Sequence, residues 1–192
     1  MPARRAQILL VTSFLWISWL LMMLIHESGH VLGAVISGGV VRHVIWSPLA
    51  LSRTDVQPNP HPLFEVWAGP IFGATLPLAI GGLLQTLRRR VAYLMWAFAG
   101  FCLIANGAYI GVGSVVAVGD AKQLVALGMA RWTLAIFGLL AAIPGMWIWD
   151  RISPQFGFGP KPAPINSRHA YGTFVAATLV TVLGILLGNP GT

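Results

Sequence analysis

Hydrophobic residues along the chain fall into five long runs, which are separated by short stretches rich in polar residues, glycine and proline. A helix that crosses a bilayer needs about 20 apolar residues, and each run approaches or exceeds that length. The runs cover residues 6–41, 62–87, 91–110, 132–149 and 169–187. The pattern therefore predicts an all-α polytopic membrane protein with about five transmembrane helices.

The first run is the longest and contains very few polar side chains. Between residues 6 and 41 there is no Asp, Lys, Arg, Cys or Tyr, and the only acid–base side chains are His26, Glu27 and His30. The run is too long for the hydrophobic region of a signal peptide, and no small-residue cleavage site follows at the usual distance. We predict a retained transmembrane helix.

The segment after the first run has a different character. Residues 38–60 contain short β-branched pieces interrupted by glycine and proline, and they include Arg42 and Arg53. Such a pattern is typical of strands or a hairpin. We therefore expect a short β-hairpin at the membrane surface, directly after the first helix.

Composition excludes an ordinary soluble domain. Of the 192 residues, 56% are hydrophobic and 9% are charged, whereas about 25% of the residues of a soluble domain are charged. The single cysteine, Cys102, excludes an internal disulfide and a cysteine-based zinc site. The length fits one domain that covers residues 1–192.

The formal net charge of +7 comes from basic residues that lie between the apolar runs. Basic residues in such positions typically set the orientation of the helices in a bilayer. Because the sequence shows no basic face, we expect no nucleic-acid partner. A cytoplasmic N-terminus would put the larger share of basic residues on the inner side, namely Arg4, Arg5, Arg88, Arg89, Arg90, Arg151, Lys161 and Arg168. The positive-inside rule therefore favours that orientation.

A sequence with the pattern H-E-x-x-H lies inside the first predicted helix, at residues 26–30. Residues four apart share one face of a helix, so His26 and His30 can bind the same ion. Glu27 lies beside them, and this arrangement is typical of two zinc ligands with a general base. A cation would also offset the free energy of burying a carboxylate in a membrane. The alternative is that these side chains only bond to one another between helices.

A catalytic zinc site usually has three protein ligands and an open fourth position. The third ligand must come from the remaining acidic and histidine residues, which are Asp55, Glu65, Asp120, Asp150, His43, His61 and His169. Asp120 is the best candidate, because it follows the third span and should reach a membrane depth similar to that of His26.

Two alternatives concern these carboxylates. Asp120 also fits the N-cap of a helix, with Gln123 as its capping-box partner. Glu65, near the start of the second span, is either a ligand itself or a carboxylate next to the ligands. Gly29 and Gly33 form a small-xxx-small pair, which predicts close packing of the first helix against another helix.

The chain resembles the site-2 protease family of intramembrane zinc metalloproteases, as a small and divergent member. The resemblance rests on the 26–30 motif, on Ala68-Gly69-Pro70 in the second span, and on Asp120 after Asn106. It implies that His26, His30 and Asp120 bind Zn²⁺, that Glu27 is catalytic, and that the Ala-Gly-Pro helix lies against the site. It also implies a bacterial cytoplasmic membrane and no accessory PDZ or CBS module.

The expected reaction is hydrolysis of a peptide bond in a membrane-embedded or juxtamembrane protein or peptide. Glu27 would accept a proton from zinc-activated water and deliver it to the leaving amine. Asn106 would donate a hydrogen bond to the substrate or the oxyanion, or else contact a neighbouring helix. The predicted hairpin would pair with an extended substrate, or be an ordinary surface hairpin.

Two other classes of function remain as alternatives. One is a catalytically silent scaffold that binds a membrane partner. The other is a small transport or assembly protein whose histidines within the membrane handle metal ions or protons.

Overall fold

The computed structural model describes residues 3–46, 48 and 52–187. Its elements in chain order are α1 (Ala3–Ser37), β1 (Val41–Ile45), β2 (Arg53–Val56), α2 (Pro62–Thr86), α3 (Ala92–Val116), α4 (Gly119–Ala126), α5 (Arg131–Ile152) and α6 (Ser167–Leu187). A short 3-10 helix, Ser153–Phe156, continues directly from α5.

Within the part of the chain that the structure describes, five helices are long and apolar enough to cross a membrane, namely α1, α2, α3, α5 with its 3-10 extension, and α6. The prediction of an all-α polytopic membrane protein is therefore confirmed. Many large apolar side chains on the outside of the bundle are exposed, such as Leu140 at 71% and Leu186 at 73%. This is expected for surfaces that face lipid rather than water.

The ends of the first and third helices differ from the sequence-based boundaries. Helix α1 ends at Ser37 rather than near residue 41, because Gly38 adopts a left-handed φ of 79° and the Gly39 amide donates to the Ala34 carbonyl. Such a glycine is a common end signal of helices. Helix α3 continues past residue 110 to Val116, since the small residues there remain helical.

The two strands form the hairpin predicted for residues 38–60, as an antiparallel pair with Val44 opposite Thr54. The register is irregular between Val41 and His43. Residues 47 and 49–51, which fall in the connection, lie outside the described residues. The hairpin follows α1 and packs back on it, with the Trp46 indole N–H donating to the Leu20 carbonyl at 3.3 Å.

Small residues set the helix crossings. A Cβ on Gly29 would lie 2.5 Å from the Ala68 carbonyl oxygen, and one on Gly33 would lie 2.5 Å from the Ala68 Cβ. Helices α1 and α2 can therefore cross closely only because these positions are glycines, as the small-xxx-small pair predicted. Gly107 and Gly138 serve the crossing of α3 and α5 in the same way.

Helix α4 is an element that the apolar runs did not predict. Ala117 ends α3 with a left-handed φ of 56°, and Gly119 begins α4 with a φ of 52°. The two positive φ values turn the chain sharply between the helices. The turn brings Asp120, in the first turn of α4, back towards α1.

Candidate metal centre

Three potential ligand atoms converge in a small triangle. The Nε2 atoms of His26 and His30 are 3.1 Å apart, and Oδ2 of Asp120 lies 2.9 Å from His26 Nε2 and 3.2 Å from His30 Nε2. All three residues are buried, with exposures of 5–9%. The arrangement that the sequence predicted on α1 and α4 is thus brought together, and it could hold a metal ion.

Asp120 faces the histidines and does not cap its helix. Helix α4 begins at Gly119 with Val118 as the N-cap residue, and no side chain caps it. The capping alternative for Asp120 is therefore wrong, because the residue lies one position inside the helix, where its carboxylate points to α1. Gln123 consequently has no role as a capping-box partner.

The outer nitrogen of His26 is held by an amide. Its Nδ1 lies 2.7 Å from Oδ1 of Asn106, and the Nδ2 of that amide donates to the Cys102 carbonyl at 2.9 Å. The second bond fixes the amide orientation, so Oδ1 must accept a hydrogen bond from His26. The proton of a neutral His26 therefore lies on Nδ1, and the lone pair on Nε2 points into the triangle.

His30 is held in the same manner by Glu65. Its Nδ1 lies 3.0 Å from the Glu65 Oε1 and 3.1 Å from the Glu65 backbone oxygen, both of which only accept hydrogen bonds. The other carboxylate oxygen of Glu65 accepts from the Asn59 amide at 3.2 Å. Glu65 thus lies at the outer nitrogen of His30, in the position of a carboxylate next to the candidate ligands.

The triangle requires positive charge between its members. Two imidazole lone pairs and a carboxylate oxygen meet at 2.9–3.2 Å, and such groups repel one another unless a cation or shared protons lie between them. Burial alone raises the pKa of Asp120, but its hydrogen bonds with His26 and His30 outweigh burial and hold that pKa well below the ordinary value. Asp120 is accordingly an anionic ligand candidate.

Glu27 is held by the hairpin. Its Oε1 accepts a hydrogen bond from the Ser52 hydroxyl at 2.8 Å, and its Oε2 accepts one from the Thr54 hydroxyl at 2.7 Å. The carboxylate is buried, with 4% exposure. Sequence reasoning missed Ser52 and Thr54, since no pattern in the chain tells which strand residues face α1.

Tyr109 is a second residue that sequence reasoning missed. Its ring lies edge-on to the His26 ring at 5.7 Å, and its hydroxyl accepts the Asp120 backbone N–H at 3.2 Å. A Cβ on Gly119 would overlap that hydroxyl. The glycine therefore allows Tyr109 to join α3 to the start of α4.

The Ala68-Gly69-Pro70 segment of α2 lies directly against the cluster. A Cβ on Gly69 would overlap the imidazole of His30, and a Cβ on Gly73 would lie 2.9 Å from the amide of Asn106. The absence of side chains at Gly69 and Gly73 leaves room for His30 and for Asn106, the residue that contacts His26. This is the placement that the resemblance implied for the Ala-Gly-Pro helix.

The other sequence candidates lie elsewhere. Among the described residues, the only metal-ligand group is the one that contains His26, His30 and Asp120. His43 and Asp55 form a cross-strand pair in the hairpin, and the remaining candidates outside the group are His61, Asp150 and His169. The amide of Asn106 contacts His26 and the Cys102 carbonyl, and its predicted role towards a substrate stays a prediction.

Comparisons of the chain with protein-family models, with curated proteins and with solved structures find no significant match. The class that fold and site define is therefore a polytopic membrane protein with a buried His-His-Asp group that could bind a metal ion. The resemblance to site-2 proteases stays a prediction that rests on the motifs.

Proposed function

We propose that the chain is an intramembrane zinc metallopeptidase that hydrolyses peptide bonds in membrane-embedded or juxtamembrane substrates. The observation that carries this proposal is the convergence of Nε2 of His26, Nε2 of His30 and Oδ2 of Asp120 within 3.2 Å of one another. The two histidines lie on α1, the helix that also bears Glu27, and Asp120 lies on α4. The ligand-bearing helix α1 is a candidate membrane span, which supports a substrate at the membrane.

The donor set fits zinc. Zinc binds histidine nitrogen and carboxylate oxygen at about 2.0–2.2 Å, and tetrahedral geometry then separates neighbouring ligand atoms by roughly 3.3 Å. The separations of 2.9–3.2 Å in the cluster are close to this value. Three protein ligands also leave a fourth position for water or substrate, as in catalytic zinc sites.

Residues beside the ligands prepare them for a metal. Asn106 and Glu65 hold the Nδ1 protons of His26 and His30, and this leaves both Nε2 lone pairs facing inwards. Partners of this kind fix the tautomer and raise the basicity of a ligating histidine. Their presence on both rings supports a metal site over a chance contact between helices.

Glu27 would carry the acid–base chemistry. A zinc ion at the cluster would supply Lewis-acid polarisation of water and of the scissile carbonyl. The Glu27 carboxylate would accept the proton of the attacking water and then donate it to the leaving amine. Ser52 and Thr54 would hold the carboxylate in one orientation through their hydroxyl groups.

Orientation and location are part of the proposal. The start of α1 and the segment after α5 lie at one end of the bundle, where Gln7 Nε2 donates to the Phe156 and Gly157 carbonyls. The positive-inside rule, applied to the basic residues of that end, supports a cytoplasmic position for it. The hairpin would then face the opposite side of a bacterial cytoplasmic membrane.

A second candidate is a transport or assembly protein that handles metal ions or protons. It is favoured by the same close contact of His26, His30 and Asp120. Protons shared among these three side chains would offset the repulsion between their ligand atoms, as a metal ion would. It differs from the first candidate in having no need of Glu27 as a base. A silent scaffold would likewise not need that residue.

The decisive experiment compares variants of the full chain, purified in mild detergent, for zinc content and for cleavage of a membrane reporter. Glu27→Gln should retain stoichiometric zinc and lose cleavage, whereas His26→Ala should lose both. Ser28→Ala is the matched control, because its hydroxyl is exposed and donates to the Leu24 carbonyl of its own helix. Retained cleavage in Glu27→Gln, or a wild-type chain without bound metal, would overturn the proposal.

A further inference from the structure

A large polar cavity lies between the hairpin, the start of α2 and helix α4. Its volume is about 970 Å³, which is at the upper end of the roughly 300–1,000 Å³ typical of ligand pockets. Polar residues that line it include Arg42, Thr54, Gln57, Asn59, Glu65 and Gln123. This cavity is called the hairpin cavity below, and its interior has not been assigned a role so far.

Two lining residues connect the hairpin cavity directly to the candidate metal centre. Thr54 donates its hydroxyl proton to Glu27 at 2.7 Å, and Glu65 contacts Nδ1 of His30 at 3.0 Å. Thr54 therefore separates the cavity from Glu27, the proposed base, and Glu65 separates it from His30, a proposed ligand. Gln123 extends the wall along α4, the helix that carries Asp120.

The polar side chains that line the hairpin cavity indicate which kind of substrate segment it can bind. Amide, hydroxyl and carboxylate groups line most of the cavity, and an apolar membrane helix placed there would leave them without hydrogen-bond partners. A polar peptide in an extended conformation exposes its own backbone N–H and C=O groups, which can pair with these side chains. The cavity also borders both strands of the hairpin.

We propose that the hairpin cavity binds an extended, polar juxtamembrane segment of the substrate, so that the scissile bond lies outside the apolar core of the bilayer. This inference rests on the proposed peptidase function and narrows its substrate class. The substrate segment reaches the metal centre between Thr54 and Glu65, from the hairpin side of the membrane. A substrate that offers only apolar transmembrane residues is then excluded.

The first test fills the cavity. Gln123→Trp places a large side chain on its wall, whereas Lys122→Trp places the same side chain on the neighbouring exposed position, which is not part of the wall. The reporter is a single transmembrane helix with a polar flank on the hairpin side. We expect Gln123→Trp to lower kcat/KM by about tenfold or more, with zinc content unchanged, and Lys122→Trp to cleave as the wild type does.

The second test does not depend on cleavage. In the Glu27→Gln background, a photo-crosslinker is attached to Gln57→Cys at the cavity or to Lys161→Cys between α5 and α6 as a control. The native Cys102 is fully buried and does not compete for the label. We expect crosslinks from position 57, and none from position 161, to the polar flank of the reporter.

The outcomes separate the two proposals. Crosslinking at position 57 without cleavage by the wild type supports the binding site and overturns the peptidase function. Cleavage that maps to apolar residues of the reporter, or that persists in Gln123→Trp without crosslinking at position 57, overturns the hairpin cavity as the substrate site and leaves the peptidase function standing.

Discussion

Oδ1 of Asn106 lies 2.7 Å from Nδ1 of His26, and the same amide is anchored on the Cys102 carbonyl of its own helix. A residue of α3 thereby sets the tautomer of His26, a candidate ligand on α1. Asn106 is 1% exposed, so this contact is shielded from solvent. An uncharged residue within a candidate membrane span thus leaves Nε2 as the nitrogen of His26 that could bind a metal ion.

Replacing Asn106 by Leu should weaken zinc binding by about 10–100-fold, the usual effect of losing such a partner. The substitution leaves the buried Nδ1–H of His26 without an acceptor. Competition with a chelator of known affinity measures the change. Asn106→Asp keeps an oxygen acceptor and should bind zinc more tightly than Asn106→Leu, and equal zinc affinities of the two variants would contradict this role.

Gly69→Ala should reduce zinc binding strongly while the protein stays inserted in the membrane. The added Cβ would overlap the imidazole of His30, so this side chain must leave its position. Gly82→Ala on the same helix is the matched control, because a Cβ there meets nothing within 4 Å. The measurement is zinc per chain after gel filtration, and a full complement of metal in Gly69→Ala would refute the close approach of His30 to α2.

Thr54→Val should lower kcat by about tenfold or more. A positioned general base accelerates a reaction by about 10²–10⁴-fold, and Glu27 would lose part of that rate enhancement if its carboxylate were no longer held in one orientation. The valine keeps the shape but removes the hydroxyl that donates to Glu27 at 2.7 Å. Zinc content should not change. Thr54→Ser restores a hydroxyl and should recover most of the rate. If Thr54→Ser turned over as slowly as Thr54→Val, the slow rate would come from a structural defect and not from the lost hydrogen bond to Glu27.

Removal of metal should lower the thermal unfolding temperature of the wild-type chain. A ligand present at a thousand times its dissociation constant stabilises the folded state by about 4 kcal/mol. The Asp120→Ala variant lacks one member of the triangle, so a chelator should shift its unfolding temperature much less. An unfolding scan in detergent, with and without the chelator, gives both values, and equal shifts in the two proteins would argue against this cluster as the metal site.

The long helices and the paired histidines were predictable because each depends on local sequence. An apolar run long enough to cross a bilayer becomes a helix, and two histidines one turn apart share a face whatever surrounds them. The small-residue pair Gly29 and Gly33 also predicted the α1–α2 crossing.

Contacts that depend on several elements were not predictable. The bonds of Ser52 and Thr54 to Glu27 require the hairpin register and its docking on α1, neither of which the strand pattern specifies. The turn that carries Asp120 to the histidines uses a left-handed Ala117 before Gly119. The glycine is a recognisable signal for such a turn, but an alanine with positive φ is not.

The distance along the chain between the members of the triangle has a consequence for biosynthesis. Asp120 follows His26 by 94 positions, and α4 comes after three of the five candidate spans. A nascent chain that has inserted only α1 and α2 carries both histidines without their acidic partner. The three side chains can therefore meet only after α4 has been synthesised, and a ribosome-bound fragment that ends before α4 lacks the complete His-His-Asp group.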